Sequence, residues 1–168
     1  GSAGNDTFDI SANALAALDS LDGGAGDTDT LLFQSTTDIT SVAAAAATIT
    51  NVERLELESD DDANGASAAD FTIDLDTTEG VTSILLDAND TANAAIFTLN
   101  DLSATQMGAI TNTMVGGGST IVLDAKDGSG TADAAVIAAS MGSTAGTLTV
   151  TDSNNNIESL SITATGDA

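Results

Sequence analysis

Apolar residues occupy every second position through much of this chain, with Thr, Ser, Asp or Glu between them. The pattern is clearest in Val52-Glu53-Arg54-Leu55-Glu56-Leu57, Val81-Thr82-Ser83-Ile84-Leu85-Leu86 and Ile157-Glu158-Ser159-Leu160-Ser161-Ile162, with a close relative in Ser119-Thr120-Ile121-Val122-Leu123. A period of two puts alternate side chains on opposite faces, so each run predicts a strand with one buried face. A second, shorter strand is predicted at Phe71-Thr72-Ile73-Asp74-Leu75, Ile96-Phe97-Thr98-Leu99, Ala135-Val136-Ile137-Ala138 and Leu148-Thr149-Val150-Thr151. Similar acidic turns follow three of the first set, at Asp60-Asp61-Asp62, Asp87-Ala88-Asn89-Asp90 and Asp124-Ala125-Lys126-Asp127.

Three stretches depart from this period. Residues 99–112 predict a short helix, because Ser103 and Gln106 form an S-x-x-Q capping box ahead of Met107 and Ile110. Ser11 can cap a second helix over 12–21, with Leu15 and Leu18 on one side. The Ala-rich run 42–48 suggests a third, although Thr48-Ile49-Thr50 turns β-like. Strand, acidic turn and strand, repeated along the chain, predict an all-β fold. The favoured form is a calcium-stabilised parallel β-solenoid (a β-roll or β-helix) with short inserted helices, and a β-sandwich is the alternative. Stacked coils would line equivalent carboxylates up in columns, and the small Ala, Val and Ile side chains suit a narrow coil.

Charge sharpens the picture. The 168 residues hold 26 Asp and Glu against 2 basic residues, Arg54 and Lys126, for a formal net charge of -24. Such a surface repels nucleic acid and anionic membranes, and no apolar run is long enough for a membrane-spanning helix. Without His or Cys, the usual ligands of zinc, haem and iron–sulfur centres are missing, as are Cys nucleophiles and His-based proton transfer. No G-x-S-x-G elbow, P-loop or H-E-x-x-H sequence occurs. Carboxylate pairs can hydrolyse glycosides, but four Phe without Trp or Tyr offer a sugar little to stack on. The expectation is a protein that is not an enzyme. With two cations available, the acids either spread over a solvated surface or gather around hard metal ions, which oxygen ligands favour.

Two glycine-rich segments bear on that choice. Gly1-Ser2-Ala3-Gly4-Asn5-Asp6-Thr7-Phe8 and Gly23-Gly24-Ala25-Gly26-Asp27-Thr28-Asp29-Thr30-Leu31 resemble the nonapeptide G-G-x-G-x-D-x-U-x of RTX proteins, the exported calcium-dependent proteins of bacteria. The resemblance implies Ca2+ held between successive turns by backbone carbonyls and carboxylates, at Gly4 and Asp6 in the first copy and at Gly24 and Gly26 in the second. The second copy is one residue longer, so either Asp27 or Asp29 takes the metal position. Asp29 fits better, because Thr30-Leu31 then follows in step. The remaining strands are similar in style to the β-solenoid domains of RTX-type surface-layer proteins. That likeness implies type I export and a calcium-organised place outside the bacterial cell or on its surface. Residues 1–35 read as RTX-like turns with a short helix, and 36–168 as a repeat-built solenoid continuous with them.

The acidic turns add candidates of their own. Asp60 with Asp62, Asp87 with Asn89 and Asp90, and Asp124 with Asp127 can each converge on one ion if the loop curls and carbonyls complete six to eight ligands. Asp and Asn are equally at home in turns that hold no metal. Gly1-Ser2-Ala3-Gly4 shows neither the charged start nor the apolar run of a secretory leader, which reads as a processed product or part of something longer. The functional expectation is a structural, calcium-dependent, self-assembling extracellular protein, a surface-layer or filament subunit whose partner is itself. The alternative is a calcium-dependent adhesin module that binds a glycan, such as a cell-surface polysaccharide, or another surface. Neither reading involves nucleic acid or membrane insertion.

Overall fold

The computed structural model describes residues 1–10, 20–26, 28–42, 48–60, 68–76, 78, 80–126, 133–142 and 146–166. Fourteen strands account for nearly all regular structure among them. They are β1 (Thr7–Asp9), β2 (Ser20–Asp22), β3 (Thr30–Ser35), β4 (Ile39–Val42), β5 (Thr48–Thr50), β6 (Arg54–Ser59) and β7 (Phe71–Asp74). The chain continues through β8 (Ser83–Ala88), β9 (Ala95–Leu102), β10 (Ile110–Met114), β11 (Ser119–Ala125), β12 (Ala134–Met141), β13 (Leu148–Asp152) and β14 (Ser159–Gly166). A four-residue helix, α1 (Ala104–Met107), lies between β9 and β10.

Every strand pairing is parallel, and each joins strands from different coils. One sheet runs β1-β3-β6-β8-β10-β12-β14, a second runs β13-β11-β9-β7-β4, and β2 pairs with β5. Parallel neighbours drawn from successive passes of the chain define a β-solenoid of about five turns. A sandwich of antiparallel hairpins is excluded by that pairing.

Register explains the core. Phe8, Leu31, Leu55, Ile84, Ile110, Ile137 and Ile162 form one inward column of the first sheet. In the second sheet Phe71, Phe97, Ile121 and Val150 form another. The columns interdigitate in one hydrophobic core that runs the length of the coil. Within it the Phe71 and Phe97 rings stack, with centroids 5.7 Å apart and planes 11° from parallel. Asn112 stands in an otherwise apolar column and donates from Nδ2 to the Leu86 carbonyl and to Ser119 Oγ, both at 3.2 Å.

Three expectations need correction. The predicted helix over 99–112 shrinks to α1, because β9 runs on to Leu102 and β10 starts at Ile110. The capping box itself is present: Ser103 N–H donates to Gln106 Oε1 at 2.8 Å, and Gln106 N–H to Ser103 Oγ at 3.4 Å. The proposed helix over 12–21 gives way to β2 from Ser20, and its earlier part lies outside the described residues. The Ala-rich run is bounded by β4, which ends at Val42, and β5, which begins at Thr48; residues 43–47 lie outside the described residues.

The stacked Phe pair makes a direct test of this packing. Phe97→Ala removes a fully buried ring and is expected to cost about 3–5 kcal/mol in denaturant unfolding. A cost below about 1 kcal/mol would mean that the two rings do not meet in the core.

Candidate functional site

The first three rungs of the large sheet bring acids together at one corner of the coil. Thr7 pairs with Thr30 and Thr30 with Arg54. The residues just before them, Asp6, Asp29 and Glu53, therefore stack in a column at the spacing of neighbouring strands, about 4.8 Å. Asp6 N–H donates to Asp29 Oδ1 at 2.7 Å, and Asp29 N–H donates to Glu53 Oε2 at 2.8 Å. Glu53 N–H and Arg54 N–H in turn donate to the Asp29 carbonyl at 3.1 and 3.0 Å. Each carboxylate thus accepts an amide that the strand ladder leaves free at its start, and such charge-assisted bonds are short and strong.

Asp29 is the centre of the column. It is fully buried (0% exposed), and its Oδ2 has no hydrogen-bond partner. Glycine makes that placement feasible. A Cβ on Gly23 would run into the Asn51 carbonyl oxygen and come within 2.6 Å of Asp29 Oδ2, while Gly24 takes a φ of +94°. A buried carboxylate oxygen without a donor is expensive, and a cation or a proton relieves it. The oxygen-only surroundings fit a hard cation, with Asp6, Asp29 and Glu53 as the side chains that would hold it and the glycine turns contributing carbonyls. Among the described residues, no group of three or more acidic side chains converges as a complete metal site by itself.

The register pairs Asp29, not Asp27, with Asp6, in line with the preference for Asp29. Gly4 and Gly26 are partly buried and Gly24 is buried in the same pair of turns. A Cβ on Gly26 would come within 2.5 Å of the Gly4 carbonyl oxygen. Asp27, Asp62 and Asp127 lie outside the described residues. The acidic turns are not arranged as expected. Asp87 and Asp124 sit on β8 and β11, because both strands run on through the buried residues Ala88 and Ala125. Asp87 accepts from Thr113 Oγ1 at 2.6 Å, and Asp124 accepts from Asn154 Nδ2 at 2.7 Å, each across to a neighbouring coil. Asp60 accepts from Gln34 Nε2, and Asn89 donates from Nδ2 to Glu58 Oε1. Asp90 is fully buried and committed to its own turn: Oδ1 accepts Ala92 N–H at 2.7 Å and Asn93 N–H at 2.8 Å.

Several acids outside the predicted set prove to be part of the electrostatics. Burial, then the charges of Asp60, Asp87 and Glu56, raises the Glu58 carboxyl above its ordinary range. Burial also raises Asp70, against the Ile96 N–H bond that lowers it. Asp101, in a left-handed backbone conformation (φ 57°), is raised by burial and then by Asp74, Asp124 and Asp76. Asp90 and Asp152 move the other way. Burial pushes both upward, but hydrogen bonds outweigh it, from Asn93 and Ala92 for Asp90 and from the amides of Ile157 and residues 154–156 for Asp152. The described ion pairs are Arg54–Glu56 at 3.5 Å and Lys126–Asp76 at 2.8 Å, both well exposed and worth little. A sequence signal did exist for Glu53: like Asp6 and Asp29, it is the acid just ahead of a strand. Comparison with protein-family profiles, curated proteins and solved structures finds no match to this chain.

These opposed shifts set the pH dependence. Glu58, Asp70 and Asp101 have folded pKa values above their unfolded ones, so ionising them costs stability, and the cost disappears as pH falls through the folded values. Asp90 and Asp152 have depressed folded values, and what they contribute is lost only in stronger acid. In chelator, the melting temperature is expected to rise from pH 7 to about pH 5 and to fall again in stronger acid. A steady fall from pH 7 downward would contradict the assignment.

Proposed function

We propose that this chain is a structural, calcium-dependent, self-assembling protein that works outside the cell, as a domain of a surface-layer or filament subunit. The observation that carries the reading is Asp29: a fully buried carboxylate with an unpartnered oxygen, stacked between Asp6 and Glu53 under glycine turns of RTX type. Calcium bound there would neutralise the column and fasten the first coils together. Asp6 and Glu53 orient the Asp29 carboxylate through backbone amides, and the glycines let the turns approach it. A chain of net charge -24 would then stack fully only where calcium is plentiful, as it is outside cells. The reading is of a building block, without a catalytic role.

The outer face of the second sheet favours a second reading. Thr72, Thr98, Val122 and Thr151 form one outward column, and Ile96, Thr120 and Thr149 another. This uncharged, hydroxyl-bearing face suits a neutral polysaccharide better than a charged ligand. A calcium-loaded monomer that binds a glycan array, and forms no ordered assembly, would favour an adhesin over a lattice subunit.

Thermal melts in excess calcium and in chelator test the first reading. At ten times the dissociation constant, each ion is expected to add about 1.4 kcal/mol, with dissociation constants of about 10⁻⁴–10⁻³ M typical of extracellular sites. Asp29→Asn should abolish the calcium-dependent part at this corner while leaving the chelator melt close to that of the unmodified chain. Ordered sheets or fibres should appear on adding calcium. An identical melt in calcium and chelator would remove the metal from the account.

A further inference from the structure

The two ends of the coil differ in chemistry. The first rung carries Asp6, Asp9 and Asp22, whereas the last strand, β14, reads Ser-Leu-Ser-Ile-Thr-Ala-Thr-Gly and bears no charge. Its Leu160 and Ile162 continue inward columns, pairing with Ala135 and Ile137, which are 1% and 0% exposed. Yet Leu160 and Ile162 are themselves 47% and 45% exposed. The cause is a half-finished coil. The second sheet stops at β13 while the first goes on to β14, leaving a step whose wall is the inner face of β14 and whose floor is the free edge of β13. Leu148 and Val150 on β13 are only partly buried beneath it.

We infer that this step is the docking site for a second copy of the same chain, joined end to end. What fits it is one strand that pairs with β13 and turns alternate apolar residues toward Leu160 and Ile162, and β14 has that pattern. The fit is self-complementary. About a twofold axis running along the strands between the two sheets, each β14 drops into the other copy's step, beside the partner's sheet edge and over the opposing apolar face. Both free edges are then paired, and the contact closes on itself as a symmetric dimer. Charge selects this end and this occupant. Copies of net charge -24 repel each other, and β14 lets them meet without pressing carboxylates together. The two nearby acids are already engaged within the chain: Asp152 accepts Ile157 N–H at 3.0 Å, and Glu158 accepts Asp133 N–H at 2.7 Å. The acidic first rung offers no such contact unless a cation bridges it.

The inference rests on the self-assembly reading and supplies its calcium-independent half: apolar contact at one end, cation-dependent contact at the other. Sedimentation velocity in chelator tests it with the whole chain. The expected species is a dimer that does not grow further. Ile162→Asp should convert it to monomer with the circular-dichroism spectrum retained, since Ile162 is largely exposed before docking, and the milder Leu160→Ser should weaken association at least tenfold. A monomer in chelator up to the solubility limit, a dimer indifferent to both variants, or open-ended growth in chelator would each overturn the inference. Adding calcium separates the two claims. Dimers that ignore calcium contradict the calcium-driven assembly but leave this interface standing, whereas calcium-driven fibres built from chelator-stable monomers contradict the interface alone.

Discussion

The fold depends on a conflict that every acidic parallel solenoid faces: register stacks like charges on top of one another. This chain answers it with backbone amides instead of basic side chains. At the corner before the large sheet, Asp6 N–H reaches Asp29 and Asp29 N–H reaches Glu53. Near the other end, Asp133 N–H reaches Glu158. Before the second sheet the direction reverses, with Asp70 N–H donating to Asp38 at 3.1 Å and Ile96 N–H to Asp70 at 2.9 Å. These bonds satisfy amides that parallel pairing leaves free at strand starts, and they tie one coil to the next. Carboxylates that would only repel in solution become coil-to-coil connectors.

The answer is incomplete at particular places. Asp29 keeps one buried oxygen without a donor, and Glu58, Asp70 and Asp101 are raised by burial and, in differing measure, by acidic neighbours. At those points neutralisation has to come from elsewhere, from protons in mild acid or from a cation. Asp90 and Asp152 show the contrasting case, since their oxygens are saturated by nearby amides and need nothing more. Carboxylates of one composition therefore divide into turn caps, coil connectors and candidate ligands by the donors around them.

Much of the fold was legible from alternation alone. Leu55 with Leu57 and Ile84 with Leu86 announce buried faces, and the coils place them as read. The strand at Ile110–Met114 was harder to see, because Asn112 interrupts the apolar alternation at an inward position and the real capping box of Ser103 drew the helix too far. The acidic turns were displaced for a related reason: Ala88 and Ala125 are small and buried, so the strands run beyond the point where a larger apolar residue would have marked their end. The site was only half legible. Gly-rich spacing located Asp6 and Asp29, but Glu53 looked like an ordinary strand residue until the register set it beside them, and register between coils joined by unequal connections is not written in local pattern.

The proposed assembly follows from the same division of charge. The chain concentrates acids at its corners and first rung and leaves β14 uncharged, so its two ends call for different conditions to join. The central claim is that the corner column is a cation site, and an anomalous-difference map from crystals grown with calcium tests it most directly. The account predicts a peak about 2.3–2.6 Å from Asp29 Oδ2, flanked by oxygens of Asp6, Glu53 or the glycine turns. A map from calcium-grown crystals with no peak there, and with Asp29 Oδ2 instead donating a proton to a neighbouring oxygen, would contradict it.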